Sequence, residues 1–162
     1  MEPALKKDIK LVFLKFFPLN ISYALILHYV EDYILKLPTS DLFKIDKSAI
    51  IFNFLTIGIL SPIIETIFFQ LLPIVMLMGV FKDYPKWNSQ ISILISVLLW
   101  FMAHYFQDTS QAINVLPLGI VLAYFFQRNF QNDTSTFQLF FGTFVIHCAW
   151  NIIILCLIYA FE

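Results

Sequence analysis

A polytopic bundle of transmembrane α-helices, all-α with about five spans, is the fold class this sequence predicts, and three observations carry it. The chain of 162 residues is 60% hydrophobic and 18% aromatic, with 13% charged residues and 4 Gly, a balance unlike that of a water-soluble domain of the same size. It divides into five apolar stretches, each near or above the ~20 residues that a helix needs to cross a bilayer. The stretches are continuously apolar and lack the alternation of a membrane barrel strand, so helices are the structure that satisfies their backbone in lipid.

The first stretch covers roughly residues 16 to 37 and is interrupted by Pro18, Asn20, Glu31 and Asp32. His28 stands four residues before Asp32, a spacing that suits an interfacial hydrogen bond. The second stretch, about 48 to 80, has some 33 residues and must tilt, kink or extend beyond the bilayer. Within it Pro62 follows Ser61, and the pair either opens a helix or kinks a longer one. The third runs from about 89 to 107, preceded by Lys86 and Trp87 as an interface anchor; the fourth covers about 111 to 127 and the fifth about 136 to 160. The polar punctuation is short and no repeat occurs, which predicts one compact unit. The many phenylalanines read as lipid-facing and interfacial packing.

If each stretch crosses once, Lys6, Lys7, Lys10, Lys15, Lys82, Lys86 and Arg128 lie on one side and Lys36, Lys44 and Lys47 on the other, seven against three. The positive-inside rule then puts the N-terminus in the cytoplasm. No small-residue cleavage site follows the first apolar run, so a cleaved signal peptide is not expected. The net charge of −1 offers no nucleic-acid footprint. Cys148 and Cys156 both fall inside the last apolar stretch and read as small buried hydrophobes.

Polar residues inside the apolar runs carry the chemistry. A carboxylate at the centre of a membrane helix costs about 2.5 to 3.5 kcal/mol on insertion scales, so it marks a functional site unless helix packing accounts for it. Glu65, in SPIIETIFFQLLP, is such a residue. His104 ends the apolar run LLWFMAHYF, and in FVIHCAWNII His147 precedes Asn151 by four residues. That spacing puts both on one helical face, about 6 Å apart along the axis. Burial penalises the charged form of a carboxyl group, which suits it to take a proton from water near neutral pH. A histidine beside it can hold that water, and an imidazole N–H and an amide can stabilise the oxyanion formed on a carbonyl. Such a set hydrolyses an amide without a nucleophilic side chain. Two His and one Glu are also a zinc set. The HExxH spacing is absent, so no cofactor is expected; were the protein metal-dependent, Glu65, His104 and His147 would be the ligands.

These stretches resemble the CPBP family of CAAX proteases and bacteriocin-processing enzymes, the Abi proteins, which are intramembrane glutamic endopeptidases. The first family motif reads Pro62, Glu65, Thr66, Phe69 and Gln70; the second reads Trp100 to His104; the third reads His147 to Asn151. Between the last two, LPLGIVLAYFFQRN is similar to the family's glycine-containing span, with Gly119 in the expected place, and 43 residues separate His104 from His147. The resemblance covers roughly residues 48 to 160. It divides the chain into a basic segment with the first span, 1–47, and a CPBP-like protease core, 48–162. It implies that Glu65 and His104 activate a water while His147 and Asn151 form the oxyanion hole, in a bacterial cytoplasmic membrane, with membrane lipid around the protein and a peptide or membrane protein as substrate.

Where the family has a second Glu and an Arg, this chain has Thr66 and Gln70, supporting residues at i and i+4 that share a helical face. Both charges are absent together, which avoids stranding one of them in the interior. Two functional readings follow: an active intramembrane endopeptidase, and a catalytically silent scaffold or bacteriocin-immunity protein that keeps the groove without the chemistry.

Overall fold

The computed structural model describes residues 3–30, 47–132 and 134–161, and every regular element among them is helical. Helix α1 (Pro3–Leu11) continues through a π-helical turn (Val12–Phe16) into α2 (Phe17–Tyr29). A 3-10 turn (Lys47–Ala49) leads into α3 (Ile50–Leu55), a π turn (Thr56–Leu60), α4 (Ser61–Glu65), a second π turn (Thr66–Leu71) and α5 (Leu72–Val80). Three further helices follow: α6 (Pro85–Tyr105), α7 (Thr109–Gln131) and α8 (Thr136–Phe161).

Four of these runs are long and apolar enough to cross a membrane: Leu5–Leu27, Ile50–Val80, Thr109–Gln131 and Thr136–Ala160. The first begins earlier than the expected 16 to 37. Lys6, Lys7, Lys10 and Lys15 are exposed on the helix, where their long stems let charged heads reach water without ending it. Glu31, Asp32, Lys36, Lys44 and the side chain of His28 lie outside the described residues. The third expected stretch is helical as α6 but is not among these four runs. Its buried row falls every four residues, Asn88, Ser92, Ser96, Trp100 and His104, so its polar groups turn inward. Such a row is an i±4 ridge, and its small members allow close approach of neighbouring helices.

The second stretch is continuous through Ser61–Pro62, so it makes one candidate span rather than two. At ~1.5 Å per residue its 31 residues outreach the ~30 Å hydrocarbon core. Each of the three π turns ends two residues before a proline, at Pro18, Pro62 and Pro73. Proline lacks an N–H and its ring crowds the carbonyl four residues back, so a widened turn there accommodates it. Gly58, Pro62, Thr66, Gln70 and Ile74 form the buried side of this helix. In an ideal α-helix four-residue steps drift by ~40° each; the wider π turns reduce that drift and keep the stripe facing inward.

Neighbouring helices supply donors to the carbonyls that prolines leave free. Ser96 on α6 donates to the carbonyl of Phe69, four residues before Pro73. Tyr23 on α2 donates to that of Ile113, four before Pro117 in α7, at 3.3 Å. Asn151 on α8 donates to that of Ile57 at 2.8 Å. Ile57 has no α- or π-type donor of its own: the Ser61 N–H bonds Thr56, and the next residue is Pro62. Membrane helices tolerate proline because such partners re-satisfy the backbone.

The turns joining α5 to α6, α6 to α7 and α7 to α8 are short, which makes consecutive helices antiparallel neighbours. Asp108 caps α7 by accepting from the Gln111 N–H at 2.9 Å. The ends of the bundle follow from contacts. Arg128 near the end of α7 lies 3.6 Å from Asp8 in α1, and Gln127 and Gln131 donate to Ser89 near the start of α6 at 2.7 and 2.6 Å. Lys6, Lys7, Lys10, Lys82 and Arg128 therefore share one end, as the charge count groups them, and the α6–α7 turn lies at the other.

Candidate active site

Glu65 ends α4, the five-residue α-helical segment held between two π turns. Its carboxylate has two distinct sides. The Ser61 hydroxyl, one turn earlier, donates to Oε1. Oε2 faces His104 Nε2 at 3.7 Å and His147 Nε2 at 3.6 Å. The His104 side chain is 9% exposed and that of His147 2%, while the Glu65 side chain keeps 17%, so the carboxylate is the accessible member of the three.

The protonation pattern of His104 follows from its other nitrogen. Nδ1 sits 2.9 Å from the Trp100 carbonyl, which only accepts, so Nδ1 carries a proton, and in the neutral form of the ring it is the Nε2 lone pair that faces Glu65. In that form the two acceptors at 3.7 Å do not bond each other, and a polar gap of that size is one that a water donating to both can bridge. His147 faces the same oxygen from α8, and its Nδ1 is buried without a partner among the described residues.

Trp100 supports both imidazoles. Its ring centroid is 4.9 Å from that of His104 and 5.0 Å from that of His147, with Phe69 behind it at 5.9 Å. Gly119 on α7 makes room for the indole: a Cβ at that position would lie 2.6 Å from Trp100 Cδ1. The packing explains the glycine, and the four-residue spacing from Trp100 to His104 puts ring and base on one face of α6.

Glu65, His104 and His147 thus come together from α4, α6 and α8. Asn151 stands one turn beyond His147, with one N–H of its amide engaged by the Ile57 carbonyl and a second hydrogen on the same nitrogen. Thr66 and Gln70 do share the buried side of the helix, both fully buried, and neither the Thr66 hydroxyl nor the Gln70 amide has a hydrogen-bond partner among the described residues. The sequence marks Ser61 and Pro62 as a helix start or a kink and not this contact; a serine four residues before a membrane glutamate is the signal for it.

Among the described residues, no group of three or more His, Cys, Asp or Glu side chains is arranged to hold a metal ion. Both cysteines are free thiols, and Cys156 is exposed on α8 rather than buried.

A family profile described as "Type II CAAX prenyl endopeptidase Rce1-like" matches residues 47–153. No curated protein and no solved structure matches the chain.

Proposed function

The chain belongs to the Rce1-like family of CAAX-type membrane proteases, and from that membership we propose that it is an integral membrane endopeptidase that hydrolyses a peptide bond with a water held by Glu65 and His104. The observation that carries the proposal is the single carboxylate oxygen, Oε2, set between two imidazole Nε2 atoms at 3.6 and 3.7 Å in the interior of an apolar bundle.

Each residue has a part. The water donates to Glu65 and to the His104 lone pair; Glu65 takes its proton as the oxygen attacks the substrate carbonyl. His147, protonated on Nε2, donates toward the same space, and the second amide hydrogen of Asn151 is the further donor for the oxyanion. The proton taken by Glu65 then passes to the leaving amine. Ser61 fixes which carboxylate oxygen faces the histidines. The substrate is a peptide or membrane protein, and the site lies nearer the bundle end that carries the α6–α7 turn. By the charge rule that is the end away from the cytoplasm.

A non-catalytic reading draws on one observation, that the Asn151 amide already bonds the Ile57 carbonyl. Comparing the peptides released in membranes that carry wild-type protein or Glu65→Gln separates the two. Products present only with wild type support the protease; identical peptide sets favour the scaffold.

Two further outcomes test the mechanism. Gly119→Ala drives a methyl group into Trp100 and shifts the support of both histidines. Misplacement by about 1 Å can cost ~10²-fold, so the expected result is a fall in kcat approaching that size with KM little changed. An unchanged kcat would detach Trp100 from the chemistry. Treatment with a strong chelator is expected to leave cleavage intact, with no stoichiometric zinc in the purified protein. Cleavage lost on chelation and restored by zinc would make Glu65, His104 and His147 ligands instead.

A further inference from the structure

A second site lies at the opposite end of the bundle from Glu65. A groove of about 120 Å³ runs between the N-terminal helix and α7, walled by Val12, Phe16, Ile120 and Phe125, with Asp8 and Arg128 among its lining. The wall is apolar and open on one side, which in a membrane protein is contact with lipid chains.

Its polar end is built asymmetrically. Asp8 approaches Arg128 through Nε at 3.6 Å and also accepts from the Asn129 amide at 3.3 Å, so the carboxylate is braced on α7 from two positions. Contact through Nε leaves the two terminal nitrogens of the guanidinium, the pair that grips a phosphate in bidentate fashion. The Arg128 side chain is 49% exposed. Lys6, Lys7, Lys10 and Lys15 are exposed on the helix that forms the other wall, and no acidic residue besides Asp8 stands on that helix within the described residues. Basic pockets between membrane helices on the cytoplasmic side are suited to anionic headgroups, which each positive charge near the surface attracts.

We infer that this groove binds one anionic phospholipid, its phosphate on the free edge of Arg128 and an acyl chain along Val12, Phe16, Ile120 and Phe125. The chemistry is that of a phosphodiester with one added negative charge and a long apolar tail, so phosphatidylglycerol is a suitable probe. The site is independent of the proposed proteolysis.

Native mass spectrometry of the full-length protein, titrated with phosphatidylglycerol or phosphatidylcholine of the same acyl chains, tests it. The expected result is one phosphatidylglycerol held ~10-fold more tightly than phosphatidylcholine, the difference lost in Arg128→Gln. Should that variant fold poorly with Asp8 unpaired, Asp8→Asn with Arg128→Gln removes both charges and is expected to lose the preference while keeping the wild-type melting temperature. Ile120→Trp, which fills the groove, is expected to weaken binding of both lipids. Equal affinity for the two lipids in wild type, a preference that survives loss of Arg128, undiminished binding in Ile120→Trp, or a second copy of this chain in place of lipid would each overturn the assignment.

Discussion

Glu65→Gln is expected to abolish peptide cleavage while leaving the protein folded. Glutamine keeps the side chain's length and can still accept from Ser61, so the α4 turn retains its contact. It cannot take a proton from water. Loss of a positioned general base lowers rates by about 10²- to 10⁴-fold. The readout is the initial rate of product formation by purified protein in lipid, with circular dichroism and thermal melting as controls for folding. A variant with more than about a tenth of wild-type activity would move the base elsewhere and leave His104, with its Nε2 lone pair, as the group to examine.

Thr66→Glu and Gln70→Arg, made singly and together, probe the buried side of the same helix. Both positions are fully buried and polar atoms at both are unpartnered. A single charge there has no counter-ion, and an uncompensated buried charge destabilises by about 3–5 kcal/mol. The double variant sets a carboxylate and a guanidinium one turn apart, and its destabilisation is expected to fall well short of the sum of the singles. Reversible unfolding in mixed micelles gives the coupling through a double-mutant cycle. Additive effects would mean that the two side chains do not meet across the π turn, and the reading of Thr66 and Gln70 as a joint neutral replacement would have to be given up.

Glu65, His104 and His147 were legible because each breaks an apolar run that a bilayer penalises. What joins them was less so. Trp100 and Gly119 belong to motifs that the sequence displays, but the reason for the glycine, an indole pressed against α7, depends on how two helices cross. The helix that carries the first apolar stretch begins well before it, at Pro3, because exposed lysines at a helix end reach water on long stems without breaking the helix. Why α6 is not among the four most apolar runs has a similar origin: hydropathy averages all sides of a helix, and here Asn88, Ser92, Ser96 and His104 line the inner side. The π turns leave no trace in composition, since they change hydrogen-bond register rather than polarity, although Pro18, Pro62 and Pro73 mark where they fall.

Those prolines bear on how the bundle assembles. A helix that enters the bilayer alone carries its proline-freed carbonyls into hydrocarbon, where an unsatisfied backbone group costs several kcal/mol. Ile57, Phe69 and Ile113 gain side-chain donors when α8, α6 and α2 arrive with Asn151, Ser96 and Tyr23. Apolar surface cannot tell one neighbour from another in lipid, because the chains of the bilayer are as apolar as leucine. A bare carbonyl can: it rewards the single partner, at the single rotation and depth, that presents a hydrogen in the right place. Three such addresses, two on the long Ile50–Val80 helix and one on α7, make wrong pairings costly, and the one read by Asn151 sets the depth of α8 so that His147, a turn away, arrives level with Glu65.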